Sequence, residues 1–170
     1  DLGFLRFIVL FVAFNYFFRE QNFMKNVFIS WAFILFFITI DVLFESFMGR
    51  NLVGFESPHR ERIVSFFKEE PVVGGYINSF YLIIIGFLFM NFKYKKLILI
   101  FSIIFLFAIL LTGERSNSIK ALAGFIILYT FYKDYDFKKK ITVGISMVIL
   151  LIIIIFNSNF LKLRYVTQIK

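Results

Sequence analysis

The chain of 170 residues has no cysteine and a single histidine, and each shortage removes a class of chemistry. Without cysteine there are neither disulfides nor thiolate metal sites. His59 has no ligand-spaced companion, which argues against a metal centre, and no cofactor is expected. The sequence also lacks internal repeats and low-complexity linkers. Its first apolar run, residues 3–18, contains Arg6 and lacks a small-residue cleavage site, so it reads as a retained span and not as a signal peptide. The chain opens at Asp1 without a methionine and reaches Lys170 after a helix-like apolar run with no obvious stop. We therefore expect residues 1–170 to form one transmembrane domain within a longer protein.

What is present points to lipid as the solvent. Hydrophobic residues make up 60% of the chain and its mean hydropathy is +0.84, where soluble domains hold roughly 45–50% apolar residues. The 28 phenylalanines, with abundant isoleucine, lysine and asparagine, fit an AT-rich coding sequence and are given no binding role. A hydrocarbon core about 30 Å thick needs about 20 apolar residues of helix. Apolar runs at residues 3–18, 27–48, 76–92, 97–112, 119–132 and 141–156 predict about six spans. The expected fold is all-α, a polytopic transmembrane helix bundle with an outer loop between spans two and three.

Charge orients this bundle. The short connections at residues 19–26, 92–96 and 133–140 hold Arg19, Lys25, Lys93, Lys95, Lys96, Lys133, Lys138, Lys139 and Lys140, and six spans place all three on one side. The positive-inside rule makes that side cytoplasmic. The net charge of +8 is then mostly topology, and a nucleic-acid partner is not expected. The loop of residues 49–75, the turn at 113–118 and the C-terminal tail fall on the opposite side.

Three groups of residues on that opposite side could carry chemistry. The loop GRNLVGFESPHRERIVSFFKEEPVVGG balances Arg50, Arg60, Arg62 and Lys68 against Glu56, Glu61, Glu69 and Glu70 while keeping Phe66, Phe67, Val72 and Val73. Either it lies at the interface or folds back into the protein, where its backbone needs a buried or wet cavity, or it is a solvated loop. The stretch TGERSNS places Arg115 beside Ser116, Asn117 and Ser118, good N-caps for the helix that follows. A helix N-terminus beside a permanent guanidinium binds anions, phosphate especially. Arg115 alternatively pairs with Glu114 or reaches lipid headgroups. Asp41 and Glu45 project from one helix face near the outer end of the second span, where ionisable groups line a cavity or pathway, or sit at headgroup level.

Taken together, these segments resemble the bacterial O-antigen polymerase and O-antigen ligase family, polytopic glycosyltransferases of the inner membrane. IDVLFESFMGRNLVGF, residues 40–55, is similar to that family's acidic helix end with its Gly-x-x-x-x-Gly stretch, here Gly49 and Gly54. RIVSFFKEEPVVGGY, residues 62–76, resembles an outer-loop segment with an arginine, an aromatic, an acidic residue and Gly-x-Tyr. LTGERSNSIKAL, residues 111–122, resembles the TG-x-R-S signature at the start of a later span. The resemblance runs from about Ile40 to the chain end and rests on the order of the three motifs.

The resemblance implies transfer or polymerisation of a polyprenyl-pyrophosphate-linked glycan, such as O-antigen or a related lipopolysaccharide component, onto a glycan or lipid acceptor at the periplasmic face. Membrane lipid is then the other partner. It also implies that Arg62 and Arg115 handle the pyrophosphate, with Arg60 as the alternative counterpart of Arg62. Glu69 and Glu70 are the candidate general bases, and Ser116, Asn117, Ser118 and Asp41 the further substrate-binding residues. The family's ligases carry a histidine in a periplasmic loop beyond the corresponding last span. His59 does not hold that position, so the base and the choice between ligase and polymerase stay open. A transporter or channel for an anionic or lipid-linked substrate is the alternative, and would show inverted halves or Gly/Pro-broken helices, neither of which is evident. A non-catalytic scaffold would leave the outer charges scattered.

Overall fold

Apolar runs fold into helices here because a backbone in hydrocarbon must bond its own amides. A computed structural model describes residues 2–17, 19, 21–57, 62–68, 70–131 and 136–167. Most of these residues are helical and none forms a strand, with one isolated bridge between Arg50 and Glu56. Six helices coincide with the six apolar runs: α1 Leu2–Phe17, α2 Gln21–Met48, α3 Val73–Asn91, α4 Lys95–Leu111, α5 Arg115–Phe131 and α6 Phe137–Asn157. A 3-10 turn, Ser65–Phe67, interrupts the loop after α2. Beyond α6 come a single turn, α7 Asn159–Lys162, and a π-helical turn, Leu163–Thr167.

Length separates the six. Asn22–Met48, Val73–Asn91 and Lys140–Asn157, of 27, 19 and 18 residues, are long and apolar enough to cross a membrane. Helices α1, α4 and α5 have 16, 17 and 17 residues. At about 1.5 Å per residue they reach only about 24–26 Å, short of a hydrocarbon core of about 30 Å. The expected six spans are therefore six helices, of which three have spanning length.

The chain divides into two compact units. Asp1–Ile34 contains α1 and the first part of α2, with Trp31 edge-on to Phe28 at 5.8 Å between ring centroids. Most of the apolar side chains on α1 are exposed. Leu35–Lys170 contains the rest, and its centre is the trio α3, α4 and α5, each packed on the other two. Ile77, Ile84 and Ile85 of α3, Leu106 and Ile109 of α4 and Ala121 of α5 are fully buried there. Gly124 lets α5 approach α3, since a Cβ at that position would collide with Leu82. Tyr81 stands edge-on to Phe105, and its hydroxyl shares a 2.9 Å hydrogen bond with Ser102 Oγ, so the buried phenol is satisfied. Outside this core Ile83, Ile100, Ile127, Ile149 and Ile153 are exposed, a surface suited to lipid and costly in water.

Because α3 to α6 alternate in direction, the connections sort to two ends. Lys93, Lys95 and Lys96 share one end with Lys138 and Lys140, and there Lys140 Nζ donates to Thr130 O at 2.6 Å and Lys95 Nζ to Phe89 O. Lys133 lies outside the described residues. The loop after α2, the α4–α5 turn and the segment after α6 meet at the other end.

Candidate functional site

Three segments build the site, and each is fastened by a different device. The first is the acidic end of α2. Asp41 and Glu45 are one turn apart and buried. Glu45 accepts from Val64 N at 3.0 Å and Ser65 N at 2.6 Å, one amide per oxygen. Asp41 accepts from Leu52 N at 2.7 Å through Oδ1 and from Ser65 Oγ through Oδ2. Buried Asn51 completes the lacing, donating to Ser65 O at 2.8 Å while its Oδ1 accepts from Val53 N and Phe55 N. The part of the loop around Ile63, Val64 and Ser65 therefore folds back into the protein, where these three residues are buried. Gly49 and Gly54, at φ +73° and +94°, supply the left-handed turns that this reversal needs. Asp41, expected to bind substrate, has both oxygens engaged in holding the loop.

The second segment is the α4–α5 turn against the start of α3. Gly74 N donates to Glu114 Oε1 at 2.9 Å, and Glu114 Oε2 accepts from Asn117 Nδ2. A Cβ on Gly74 would collide with Thr112 Oγ1, and one on Gly75 would stand 3.1 Å from Asn117 Nδ2. The paired glycines are thus where one motif's backbone touches the other motif's side chains. Gly74→Ala is expected to cost about 1–3 kcal/mol through overpacking. Thermal melting in detergent would read that loss, and an unchanged midpoint would refute the close approach.

The expected caps are corrected by the helix boundary. Helix α5 begins at Arg115, so Ser116, Asn117 and Ser118 occupy its first turn and do not precede it. Ser118 N bonds Glu114 O at 3.0 Å as the first rung, leaving the earlier amides at the positive end of the helix. Ser116 is exposed, whereas Ser118 is buried and engaged elsewhere.

The third segment follows α6. Ser158 Oγ accepts from Leu161 N at 3.3 Å and starts α7. Tyr165 then docks, its hydroxyl donating to Leu110 O at 3.2 Å and lying 2.7 Å from Ser118 Oγ. Burial raises the Tyr165 phenol above its ordinary pKa, and Glu114 adds to this; Ser118, Arg164 and Arg115 oppose. Gly113, at φ +73°, lies under this segment: a Cβ there would stand 2.8 Å from Phe160 Cζ and 3.7 Å from Arg164 Nε.

Three arginines lie on these segments. Arg62 lines a cavity of about 380 Å³ with Glu45, Ser46, Glu56, Ser158 and Phe160. Arg115 opens α5 two residues after Gly113. Arg164 lies over Gly113, and its pKa is depressed first by burial and then by the positive charges of Arg62 and Arg115. Neither protein-family models nor curated proteins nor solved structures match this chain. The site's reading therefore rests on its own geometry.

Among the other expected residues, Glu70 is exposed, its amide bonded to Phe67 O at 3.2 Å. Glu69 and Arg60 lie outside the described residues, as does His59. No group of three or more metal-ligating side chains occurs among the described residues. Sequence reasoning missed Arg164 and its anchor Tyr165. Their signal was a basic residue after an apolar run, at the end of the bundle where the positive-inside rule does not call for one.

Proposed function

We propose that this chain is a membrane glycosyltransferase that transfers or polymerises a polyprenyl-pyrophosphate-linked glycan at the periplasmic face of the inner membrane. The observation that supports it is the cavity that Arg62 lines together with Phe160, whose ring packs over Gly113 beside Arg164, two residues before Arg115. In the proposed reaction an acceptor hydroxyl oxygen attacks the anomeric carbon of the glycan. The bond from that carbon to the phosphate oxygen breaks, polyprenyl pyrophosphate leaves, and the hydroxyl proton passes to a base. Negative charge grows on the departing phosphate oxygen. Fixed guanidiniums and the positive end of α5 would stabilise it without reorganising at the moment of reaction. Glu56, in the same cavity wall as Arg62, joins Glu69 and Glu70 as a candidate for the base.

Proteoliposomes carrying the protein and a lipid-linked oligosaccharide test the reading. Release of free polyprenyl pyrophosphate with lengthened or transferred glycan supports a transferase. Movement of the intact lipid-linked substrate across the bilayer, with no bond broken, would make the protein a transporter. Orientation has its own test. A cysteine introduced at Lys95 should resist an impermeant thiol reagent in right-side-out vesicles, and labelling there would place the arginine end in the cytoplasm.

A further inference from the structure

We infer that the groove between α5 and α6 seats one acyl chain of an anionic phospholipid, with the lipid phosphate at Lys140. The groove lies at the lysine-rich end of the bundle, away from the arginines, and the inference does not rest on the glycan reaction.

Three observations carry it. The groove is a cavity of about 350 Å³, walled by Leu122, Phe125 and Ile126 of α5 and by Gly144, Ile145 and Val148 of α6. These walls follow each helix for about two turns, roughly 12 Å. Its polar mouth is at one end, where Thr130 and Lys140 face each other and Lys140 Nζ donates to Thr130 O at 2.6 Å. Thr130 Oγ1 is turned to Ile126 O of its own helix at 2.7 Å. The gap itself is set at Gly144. A Cβ on Gly124 of α5 would strike Leu82, the mark of a close helix contact, whereas a Cβ on Gly144 would meet no described atom within 4 Å. Gly144 thus leaves out side-chain volume where no described neighbour needs the room. Beyond the mouth α6 is held loosely: α5 packs far more closely on α3 than on α6, and only 6% of the spanning stretch of α6 is buried.

Charge chooses the occupant. All copies of a membrane protein insert the same way up, so a second copy laid on this groove would bring its own lysines to the same end, and like charges would meet. An anionic lipid brings the opposite sign. Its chain fills the apolar walls while its phosphate reaches Lys140, whose ammonium has three donors, of which Thr130 O takes one. Lys138, exposed at the same end, adds to the field. Basic pockets between membrane helices select anionic headgroups in this way. A zwitterionic lipid carries its own cation to the same place and gains less.

The test uses the full protein in nanodiscs of phosphatidylcholine with a minority of phosphatidylglycerol, then reads the lipid retained on the protein by native mass spectrometry. Wild type should keep one phosphatidylglycerol per chain, enriched about tenfold over the bulk ratio, the worth of one charge-assisted hydrogen bond. Lys140→Gln should bring the retained lipid back towards the bulk ratio, and Lys140→Arg should hold the enrichment. Lys96→Gln is the control, an exposed charge at the same end but outside the groove, and should leave the enrichment unchanged. Gly144→Phe should expel lipid of either headgroup with helical content unchanged; Gly144→Leu, a smaller filler, should act in the same direction and decides the matter if the phenylalanine variant does not fold. No enrichment in wild type, equal losses in Lys140→Gln and Lys96→Gln, or undiminished lipid in the Gly144 variants would each overturn the inference. A lipid-free protein dimer that a Gly144 filler splits would make the groove an interface between copies and overturn it as well. None of these readouts involves glycan transfer, so the inference and the proposed function stand or fall separately.

Discussion

Arg62→Ala and Arg115→Ala are each expected to lower glycan transfer by on the order of 10²- to 10³-fold, the range seen when one fixed donor is removed from a developing negative charge. Membrane insertion and helical content should not change, since neither side chain belongs to the α3–α4–α5 core. The loss should appear mainly in the rate of the chemical step, because the charge on the leaving phosphate is greatest in the transition state. Lysine should rescue poorly, for an ammonium cannot reproduce the planar fork of a guanidinium on two phosphate oxygens. Transfer assays on membranes with matched protein levels would measure this. Full activity in either alanine variant removes that arginine from the reaction.

The second large effect is expected at Glu45, which touches no substrate in this account. Its carboxylate holds the amides of Val64 and Ser65 in a buried place. Glu45→Ala strands both, at roughly 1–3 kcal/mol for each buried donor left without a partner. The loop should loosen, and with it Arg62, two residues before Val64. Trypsin should then cut after Arg50 or Arg62 much faster than in wild type, and transfer should fall although both arginines remain. Glu45→Gln keeps one acceptor oxygen and should lie between. Unchanged protease resistance in the alanine variant would show that the loop is held by something else.

How legible this was in the sequence follows from the physics of each part. Helices were legible because apolar runs bounded by lysines or glycines leave the backbone one way to satisfy itself, and α2 to α6 fall within a few residues of the expected places. Spanning length was less so: α4 and α5 look like spans by hydropathy, yet each stops at 17 residues, where Tyr94 and Thr112 bound one and Arg115 opens the other. The folding back of the loop was one of the alternatives, and Asp41 and Glu45 decided it. An i, i+4 acidic pair reads equally as a ligand site, a pathway or a clamp, because the partners that choose among these, the amides of Leu52, Val64 and Ser65, carry no side-chain signal. Ser116 to Ser118 read as caps by composition, but the helix starts at Arg115, with Glu114 bonded to Gly74 N and Ser118 to Tyr165 on either side of that start. Arg164 belongs to no motif, and its placement depends on the docking of Tyr165, 47 residues from Ser118.

The central claim is that Arg62 and Arg115, from two segments far apart in sequence, serve one diphosphate. A double-mutant cycle on pyrophosphate affinity tests it most directly, using wild type, Arg62→Ala, Arg115→Ala and the double variant in nanodiscs. Residues that share a ligand couple by roughly 0.5–3 kcal/mol. The account predicts coupling in that range, with the double variant differing clearly from the sum of the single losses. Strict additivity, or a loss confined to one of the two arginines, would contradict a shared site.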